Sequence, residues 1–244
     1  MNVLAIDSSN VVMGVAITKG DTVLGELITN SKKNHSVRLM PAIEQLFIDA
    51  GIKPEEIDRI AVAEGPGSYT GVRIGVTIAK TMAWAMKKEL VGLSSLEILA
   101  QNGLYFNGYL CPLFDARRGQ VYTGLYRSNS TEVQAIESDR LILLTDWLAQ
   151  LQSLDQPILF LGNDLALHWD RIQAFLGRQA VRARYTENNP RPSTLAFLAQ
   201  KYPPVEAHAF TPRYLQLAEA EAKWLAKQEQ KGQENGSLHT KSDD

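Results

Sequence analysis

The sequence predicts an α/β protein made of two similar halves, and three observations support this prediction. With 45% hydrophobic residues, the 244-residue chain can bury a substantial core. Short apolar runs typical of strands alternate with segments whose apolar residues recur every three or four positions, as in helices. A strand that ends in an aspartate and is followed by a turn and a returning strand occurs at Asp7 and again at Asp115.

The first half is predicted to contain five strands and three helices. The order is strand, strand, strand, helix, strand, helix, strand, helix, at residues 3–7, 12–18, 22–29, 36–50, 59–63, 72–88, 89–93 and 96–105. Gly51 marks the end of the first helix, because glycine adopts the left-handed conformation that ends many helices. The second helix is apolar nearly all round, which indicates that it lies buried between layers.

The second half repeats the opening pattern and then departs from it. Strands are expected at residues 110–114, 120–127 and 158–162, a strand-like segment at 181–185, and helices at 146–152 and 193–201. We therefore predict an N-terminal subdomain at 1–104, a smaller C-terminal subdomain at 105–217, and a tail at 218–244. A charged surface helix is expected at 219–231, and the remaining residues are polar enough to stay disordered.

Composition limits the classes of function. The chain has 25 basic and 27 acidic residues, so as a whole it has no positive field that would hold RNA. Any RNA contact must come from a local patch or from a partner. The single cysteine, Cys111, excludes an internal disulfide and fits a reducing compartment. No apolar run approaches the roughly 20 residues of a membrane span, and the start lacks a basic leader. We expect a cytoplasmic protein.

A glycine-rich turn lies between the predicted strand at 59–63 and the helix that follows. Its glycines allow close backbone approach, a hydroxyl can cap the helix, and the free amides at a helix N-terminus can receive an anion. A purely structural role is favoured over anion binding on these grounds alone. The residues of this motif turn are Gly65, Pro66, Gly67, Ser68, Thr70, Gly71 and Arg73.

Together with four other segments, the motif turn closely resembles the TsaB (YeaZ) family from Met1 to about Leu215. The other segments are Ala5-Ile6-Asp7-Ser8-Ser9, Gly92-Leu93-Ser94-Ser95-Leu96, Asp115-Ala116-Arg117-Arg118 and Pro212-Arg213-Tyr214-Leu215. The resemblance implies an actin-like ATPase superfamily fold with two ribonuclease-H-like halves. It also implies a part in making threonylcarbamoyladenosine on tRNA, together with a catalytic paralogue, TsaD, and a small ATPase, TsaE.

In that superfamily an acid at the end of the first strand helps to hold metal and phosphates in a cleft between the halves. The residues in this position are Asp7, Ser8 and Ser9, with Asp115, Arg117 and Arg118 in the second half. Two carboxylates facing one cleft would suit magnesium and a nucleotide. The bulky Val11-Val12-Met13 and the charged Arg117-Arg118 replace the small residues of a phosphate loop, so we expect no tightly bound cofactor and at most weak nucleotide binding.

No metal site is expected. The catalytic paralogue binds metal through two histidines one helical turn apart, and the resemblance places Leu93 and Glu97 at those positions. An alkyl chain cannot coordinate, and one carboxylate without an imidazole makes a poor transition-metal site. The four histidines are scattered and form neither a ligand set nor a serine–histidine–acid arrangement: His35, His168, His208 and His239.

Two basic groups are candidate RNA contacts. Arg117 and Arg118 are adjacent in a turn and could reach a phosphate of nucleotide or tRNA, although solvated turn charges are an equally good interpretation. Arg182 and Arg184 alternate along a strand beside Tyr185, so both point to one face. A basic face beside an aromatic suits RNA, and a solvated strand face remains the alternative.

Two helices of the first half carry more apolar residues than one sheet face requires. The resemblance implies that they pair with the matching helices of the catalytic paralogue in a four-helix interface, and that the same surface self-associates into a homodimer when the partner is absent. The residues outside the core stripe are Val37, Met40, Ile48, Ile74, Ile78 and Met82. The alternative is that both helices are enclosed within this chain.

The sequence therefore favours a non-catalytic scaffold subunit over an enzyme. The competing interpretation is an ATP-dependent carbamoyl or phosphoryl transferase, or a protease-like enzyme, of the same superfamily.

Overall fold

The computed structural model describes residues 1–31 and 34–216. The predicted tail at 218–244, with its charged helix, lies outside the described residues. The elements of the first half are β1 Asn2–Asp7, β2 Val12–Lys19, β3 Thr22–Asn30, α1 His35–Ala50, β4 Arg59–Gly65, α2 Tyr69–Met86, β5 Glu89–Ser94 and α3 Ser95–Ala100. Those that follow are β6 Tyr109–Asp115, β7 Gln120–Ser128, β8 Val133–Leu143, α4 Leu144–Leu151, β9 Ile158–Leu161, α5 Leu165–Leu176, β10 Ala180–Arg182 and α6 Pro192–Ala199.

The strands form two five-stranded sheets with the same topology. The order in the first sheet is β3-β2-β1-β4-β5, and the order in the second is β8-β7-β6-β9-β10. In each sheet the first three strands form an antiparallel meander, and the last two run parallel to the central strand. The predicted internal duplication is therefore real. The expected fold class, α/β with two ribonuclease-H-like halves of the actin-like ATPase type, is confirmed.

Each half packs one of its helices against the sheet of the other half. Helix α6 follows the second sheet in sequence, but Leu195, Ala196 and Ala199 pack on β1 and β2 of the first sheet. In return, Leu96 and Leu99 of α3 pack against β6 and β7 of the second sheet. The predicted boundary at residues 104/105 follows the change of sheet but not the packing of these helices.

The sequence analysis did not predict two elements, β8 and α5. Strand β8 lies at the edge of its sheet and pairs only with β7 among the described strands, so its exposed side lacks a clear apolar alternation. Helix α5 buries only Leu165, Ile172 and Leu176, a narrow stripe in an otherwise exposed helix. The predicted helix at 96–105 is shorter than expected, because the chain tightens into a 3-10 turn after Ala100.

The single cysteine of the chain lies in the core of the second half. Cys111 is fully buried, accepts a hydrogen bond from Trp147 Nε1 at 3.2 Å, and has its pKa raised to about 11 by burial. A buried thiol with a raised pKa is inert, so Cys111 is a packing residue. Among the helices of the described ranges, none is long and apolar enough to cross a membrane.

Candidate functional site

A cleft of about 850 Å³ separates the two halves. One wall is the motif turn, the opposite wall is the β6–β7 turn, and the chain after residue 211 closes one side. The residues that line it include Asn10, Val11, Pro66, Gly67, Ser68, Tyr69, Thr70, Phe114, Asp115, Arg117, Arg118, Tyr122, Asp164, Arg213, Tyr214 and Gln216. The structure thus brings together the motif turn and the Asp115–Arg118 segment that the sequence singled out.

Asp7 does not line this cleft. Its side chain is only 2% exposed, and Oδ1 accepts hydrogen bonds from the Ser9 amide at 2.9 Å and the Ser9 hydroxyl at 2.7 Å. Within residues 1–31 and 34–216, Oδ2 is buried without a hydrogen-bond partner, and burial raises the pKa of this carboxyl. Ser8 and Ser9 are equally buried, so the three residues predicted for the first half of a nucleotide site lie beneath the cleft surface.

The motif turn covers Asp7 because it packs directly on the turn after β1. The Ser68 amide donates to the Ser9 carbonyl at 2.7 Å, and the Ser8 hydroxyl donates to the Gly71 carbonyl at 2.8 Å. A methyl group on Gly67 would lie 2.1 Å from the Ser9 carbonyl oxygen, and one on Gly71 would lie 2.2 Å from that of Ser8. The glycines are therefore required for this backbone contact, which supports the structural interpretation of the motif.

The second half places a titratable cluster in the cleft wall. His168 Nε2 lies 3.0 Å from Asp115 Oδ1, and the Asp115 amide donates to Asp164 Oδ2 at 2.9 Å. Burial, reinforced by the charge of Asp115, raises the pKa of Asp164. Sequence reasoning missed this cluster because His168 lies in α5, the helix that it overlooked, and Asp164 immediately precedes that helix. Nowhere in residues 1–31 and 34–216 do three histidine, cysteine or carboxylate side chains converge to hold a metal.

The candidate RNA contacts fall in two places. Arg117 and Arg118 form the β6–β7 turn and line the cleft with positive φ angles of 66° and 53°, a conformation that non-glycine residues rarely adopt. Arg182 and Arg184 lie away from the cleft wall, at the outer edge of the second sheet, and both are exposed while Ala183 between them is buried. The structure therefore does not unite the two groups in one site.

An aromatic stack stands at the cleft mouth. The ring centres of Tyr69 and Tyr214 lie 4.9 Å apart with an angle of 28° between the ring planes, and the Arg73 guanidinium lies 5.3 Å from the centre of the Tyr69 ring. Arg73, predicted as part of the motif turn, also donates to the Tyr69 hydroxyl at 3.0 Å. This stack holds the segment after residue 211 against α2.

A second polar cluster joins the halves behind the cleft. Asp139 of β8 accepts hydrogen bonds from Ser94 at 2.5 Å, from Tyr126, and from Arg213 at 3.2 Å. Glu64 and Glu97 lie nearby, and burial raises the pKa of both carboxyls, with the charge of Asp139 adding to the effect. No sequence pattern predicts that these residues meet, because they are separated by long stretches of chain.

Replacing Glu64 with glutamine should stabilise the protein at neutral pH. Since its pKa is raised in the folded state, the folded protein favours the protonated carboxyl, so the stability linked to this group is present at low pH and is lost as the pH rises above the usual value of 4.5. We expect Glu64→Gln to have a higher Tm than wild type at pH 7 and a nearly equal Tm at pH 4. The exposed Glu55→Gln is the control, and equal Tm values for Glu64→Gln and wild type at both pH values would contradict the assignment.

A separate apolar groove of about 640 Å³ lies along α1 and α2. Met40, Ile48 and Met82, three of the six predicted interface residues, line it. Val37 and Ile48 are each 67% exposed and Met40 is 44% exposed. Ile74, Ile78 and Met82 are half-buried and pack against the core of the first half. One side of the helix pair is thus core and the other is open.

Comparisons with known proteins agree with this fold. Residues 22–224 match a family model described as TsaD, a tRNA N6-adenosine threonylcarbamoyltransferase. The tRNA threonylcarbamoyladenosine biosynthesis protein TsaB of Bacillus subtilis is 50% identical over 93% of this chain and 100% of its own length. The protein of the same name from Buchnera aphidicola subsp. Schizaphis graminum is 30% identical over 70% of this chain and 80% of its own.

Solved structures give the same fold. YeaZ from Pseudomonas aeruginosa superposes with a TM-score of 0.73 at 24% identity, covering 88% of this chain and 99% of that one. The sequence identity to the Bacillus protein, which extends over that protein's entire length, shows that this chain belongs to the TsaB family of tRNA threonylcarbamoyladenosine biosynthesis proteins.

Proposed function

We propose that the protein is a non-catalytic subunit that docks and activates a TsaD-like catalytic paralogue for threonylcarbamoyladenosine modification of tRNA adenosine-37. The observation that carries the proposal is the α1–α2 groove, whose apolar side chains remain open to solvent on a chain that has already filled its cores. Exposed apolar patches of this kind mark protein–protein contact sites. A paralogue with the same two helices would present a matching face.

The first half of the cleft supports a non-catalytic role. A carboxylate that held magnesium and phosphate would have to reach the cleft, whereas Asp7 is sealed beneath the motif turn and already bonded to Ser9. The alternative, a carbamoyl or phosphoryl transferase or a protease-like enzyme, draws on the Asp115–His168 pair in the opposite wall. That pair has no nucleophilic side chain among its hydrogen-bond partners in the described ranges, so it favours a structural contact.

Co-purification from the native cytoplasm tests the proposal. We expect the untagged paralogue to be recovered with this chain at one-to-one stoichiometry, and we expect TsaE and tRNA to join the assembled complex. A catalytic paralogue that modifies tRNA at full rate without this chain, or that never co-elutes with it, would contradict the proposal.

The isolated chain should show negligible ATPase activity and hold no transition metal. The reason is the buried Asp7 together with the lack of a histidine pair at Leu93 and Glu97. Phosphate release under saturating ATP and magnesium, and elemental analysis after tag-free purification, measure both properties. One equivalent of zinc or iron, or phosphate release abolished by His168→Ala, would favour the enzyme interpretation.

A further inference from the structure

We propose that Glu44 selects the partner of the α1–α2 groove, because it favours a helix that presents a lysine or arginine to it and disfavours a second copy of this chain. This selection rests on the proposed docking function and adds to it the chemistry of the partner helix. Of the described residues that line the groove, two are charged, Glu44 and Lys53. An acid on an otherwise apolar docking face requires a partner, since a charge covered by apolar side chains is costly unless it is paired.

Glu44 lies in the middle of the docking face of α1. Met40 precedes it by one helical turn and Ile48 follows it by one turn, so neighbouring Cβ atoms in this row are about 5–6 Å apart. All three side chains are exposed in the free chain, and all three line the groove. A partner that covers Met40 and Ile48 therefore covers Glu44 as well.

Glu44 has no cation of its own chain to pair with. In the part of the chain that the structure describes, its carboxylate forms no hydrogen bond or ion pair. Arg38, six positions earlier, points to a different side of the helix and donates to the Thr29 hydroxyl at 3.2 Å. Lys53 follows the end of α1, and the helix continues for about 9 Å beyond Glu44 before it ends. A cation that pairs with Glu44 in a complex therefore has to come from the partner.

A second copy of this chain brings another carboxylate to the same place. In an isologous contact one patch meets itself across a two-fold axis. If the two α1 helices run antiparallel, the register that covers their apolar side chains pairs Met40 with Ile48 of the second copy, and Glu44 then meets its own equivalent. If the helices run parallel, every residue meets its own equivalent. Both arrangements place two Glu44 carboxylates side by side, which disfavours the homodimer.

A paralogue is free of this symmetry. Its helix can place a lysine or arginine opposite Glu44, and the carboxylate that repels a second copy then forms an ion pair among apolar side chains. A single polar side chain within an apolar seam sets the register and the partner of coiled-coil helices in the same way. Specificity of this kind comes from repulsion in the wrong complex as well as from attraction in the right one.

Mixing two versions of the full chain tests this selection. Glu44→Lys should self-associate as weakly as wild type, because two lysines repel each other as two glutamates do. An equimolar mixture of wild type and Glu44→Lys should form a mixed dimer that is roughly tenfold or more tighter than either homodimer, because it joins opposite charges. Glu44→Gln removes the repulsion, so its homodimer should be tighter than that of wild type. Sedimentation velocity over a range of protein concentrations measures each dimer.

Salt and a matched variant control for other effects of charge. Added salt should tighten the wild-type homodimer, weaken the mixed dimer and leave the Glu44→Gln homodimer unchanged, because it screens repulsion and attraction alike. Asp49→Lys makes the same change of charge at an exposed position of α1 that does not line the groove. Its mixture with wild type should contain no more dimer than wild type alone. Both positions are exposed, so each variant should keep the wild-type Tm.

Affinity for the paralogue separates this selection from the docking proposal. We expect Glu44→Lys to weaken the complex by roughly tenfold or more. If Glu44→Lys binds the paralogue like wild type and Met40→Glu does not bind, the docking proposal stands and selection by Glu44 is wrong. If both variants bind like wild type, the docking proposal is wrong and the selection with it. A mixture of wild type and Glu44→Lys that dimerises no more than its components also overturns the selection.

Discussion

Met40→Glu is expected to abolish association with the TsaD-like paralogue while leaving the chain folded. Met40 is 44% exposed and lines the α1–α2 groove, so a glutamate there meets water in the free chain. In the complex the same carboxylate would be enclosed among apolar side chains, and an unpaired charge at a packed interface costs several kcal/mol. Since 1.4 kcal/mol corresponds to tenfold in affinity, we expect a loss of about 100-fold or more.

Analytical gel filtration with the paralogue and a thermal melt of the variant measure the two expectations. Ile136→Glu places the same charge on an exposed apolar site of β8 and should bind the partner normally. Met82→Glu should also abolish binding, but Met82 packs against the first core as well, so its Tm is needed before its binding is interpreted. A folded Met40→Glu that co-elutes with wild-type affinity would place the interface elsewhere.

The same variant reports on self-association. If the groove pairs with itself in the absence of the paralogue, the contact is isologous, and each dimer contains the Met40 site twice. A single substitution then introduces two like charges at one interface. Met40→Glu should therefore be monomeric at protein concentrations where wild type is dimeric.

The architecture could be predicted because it depends on local patterns. Strands with continuous apolar runs, such as β1 and β6, and helices ended by glycine, such as α1, carry their signal within a few residues. Strand β8 and helix α5 could not be recognised this way, since one is an exposed edge strand and the other buries only a narrow stripe. Because α5 was not predicted, the sequence analysis could not place His168 and Asp164 at the cleft.

The sites were harder to predict because they depend on contacts between distant segments. The sequence placed Asp7 and Asp115 in equivalent positions, and the topology confirms that equivalence. Whether each aspartate reaches the cleft depends on what packs above it. Of the two, Asp115 lines the cleft, whereas Asp7 is buried beneath the motif turn. The Asp139 cluster joins β5, β8 and the segment after residue 211. Patterns within a short stretch of sequence cannot predict a contact between such distant segments.

Gly71→Ala should strongly destabilise the protein, although alanine normally stabilises a helix relative to glycine. Gly71 lies in the first turn of α2, where the helix propensity of alanine alone would add up to about 1 kcal/mol of stability. Here the added methyl group would lie 2.2 Å from the carbonyl oxygen of Ser8, which is held in place by the turn over Asp7. Backbone atoms cannot rotate away as a flexible side chain can. We expect a net loss of about 3 kcal/mol, or roughly 6–12 °C in Tm for a protein of this size.

Thr77→Ala is the matched control, because Thr77 is exposed on the same helix and its replacement tests helix propensity alone. We expect its Tm to equal or slightly exceed that of wild type. The comparison also decides between the two interpretations of the motif turn. If the glycines serve backbone packing, Gly71→Ala lowers Tm whether or not nucleotide is present. If the glycines instead receive an anion, Gly71→Ala has the wild-type Tm without nucleotide. It then loses the stabilisation that added ATP gives to wild type. That result would show that the structural interpretation is wrong.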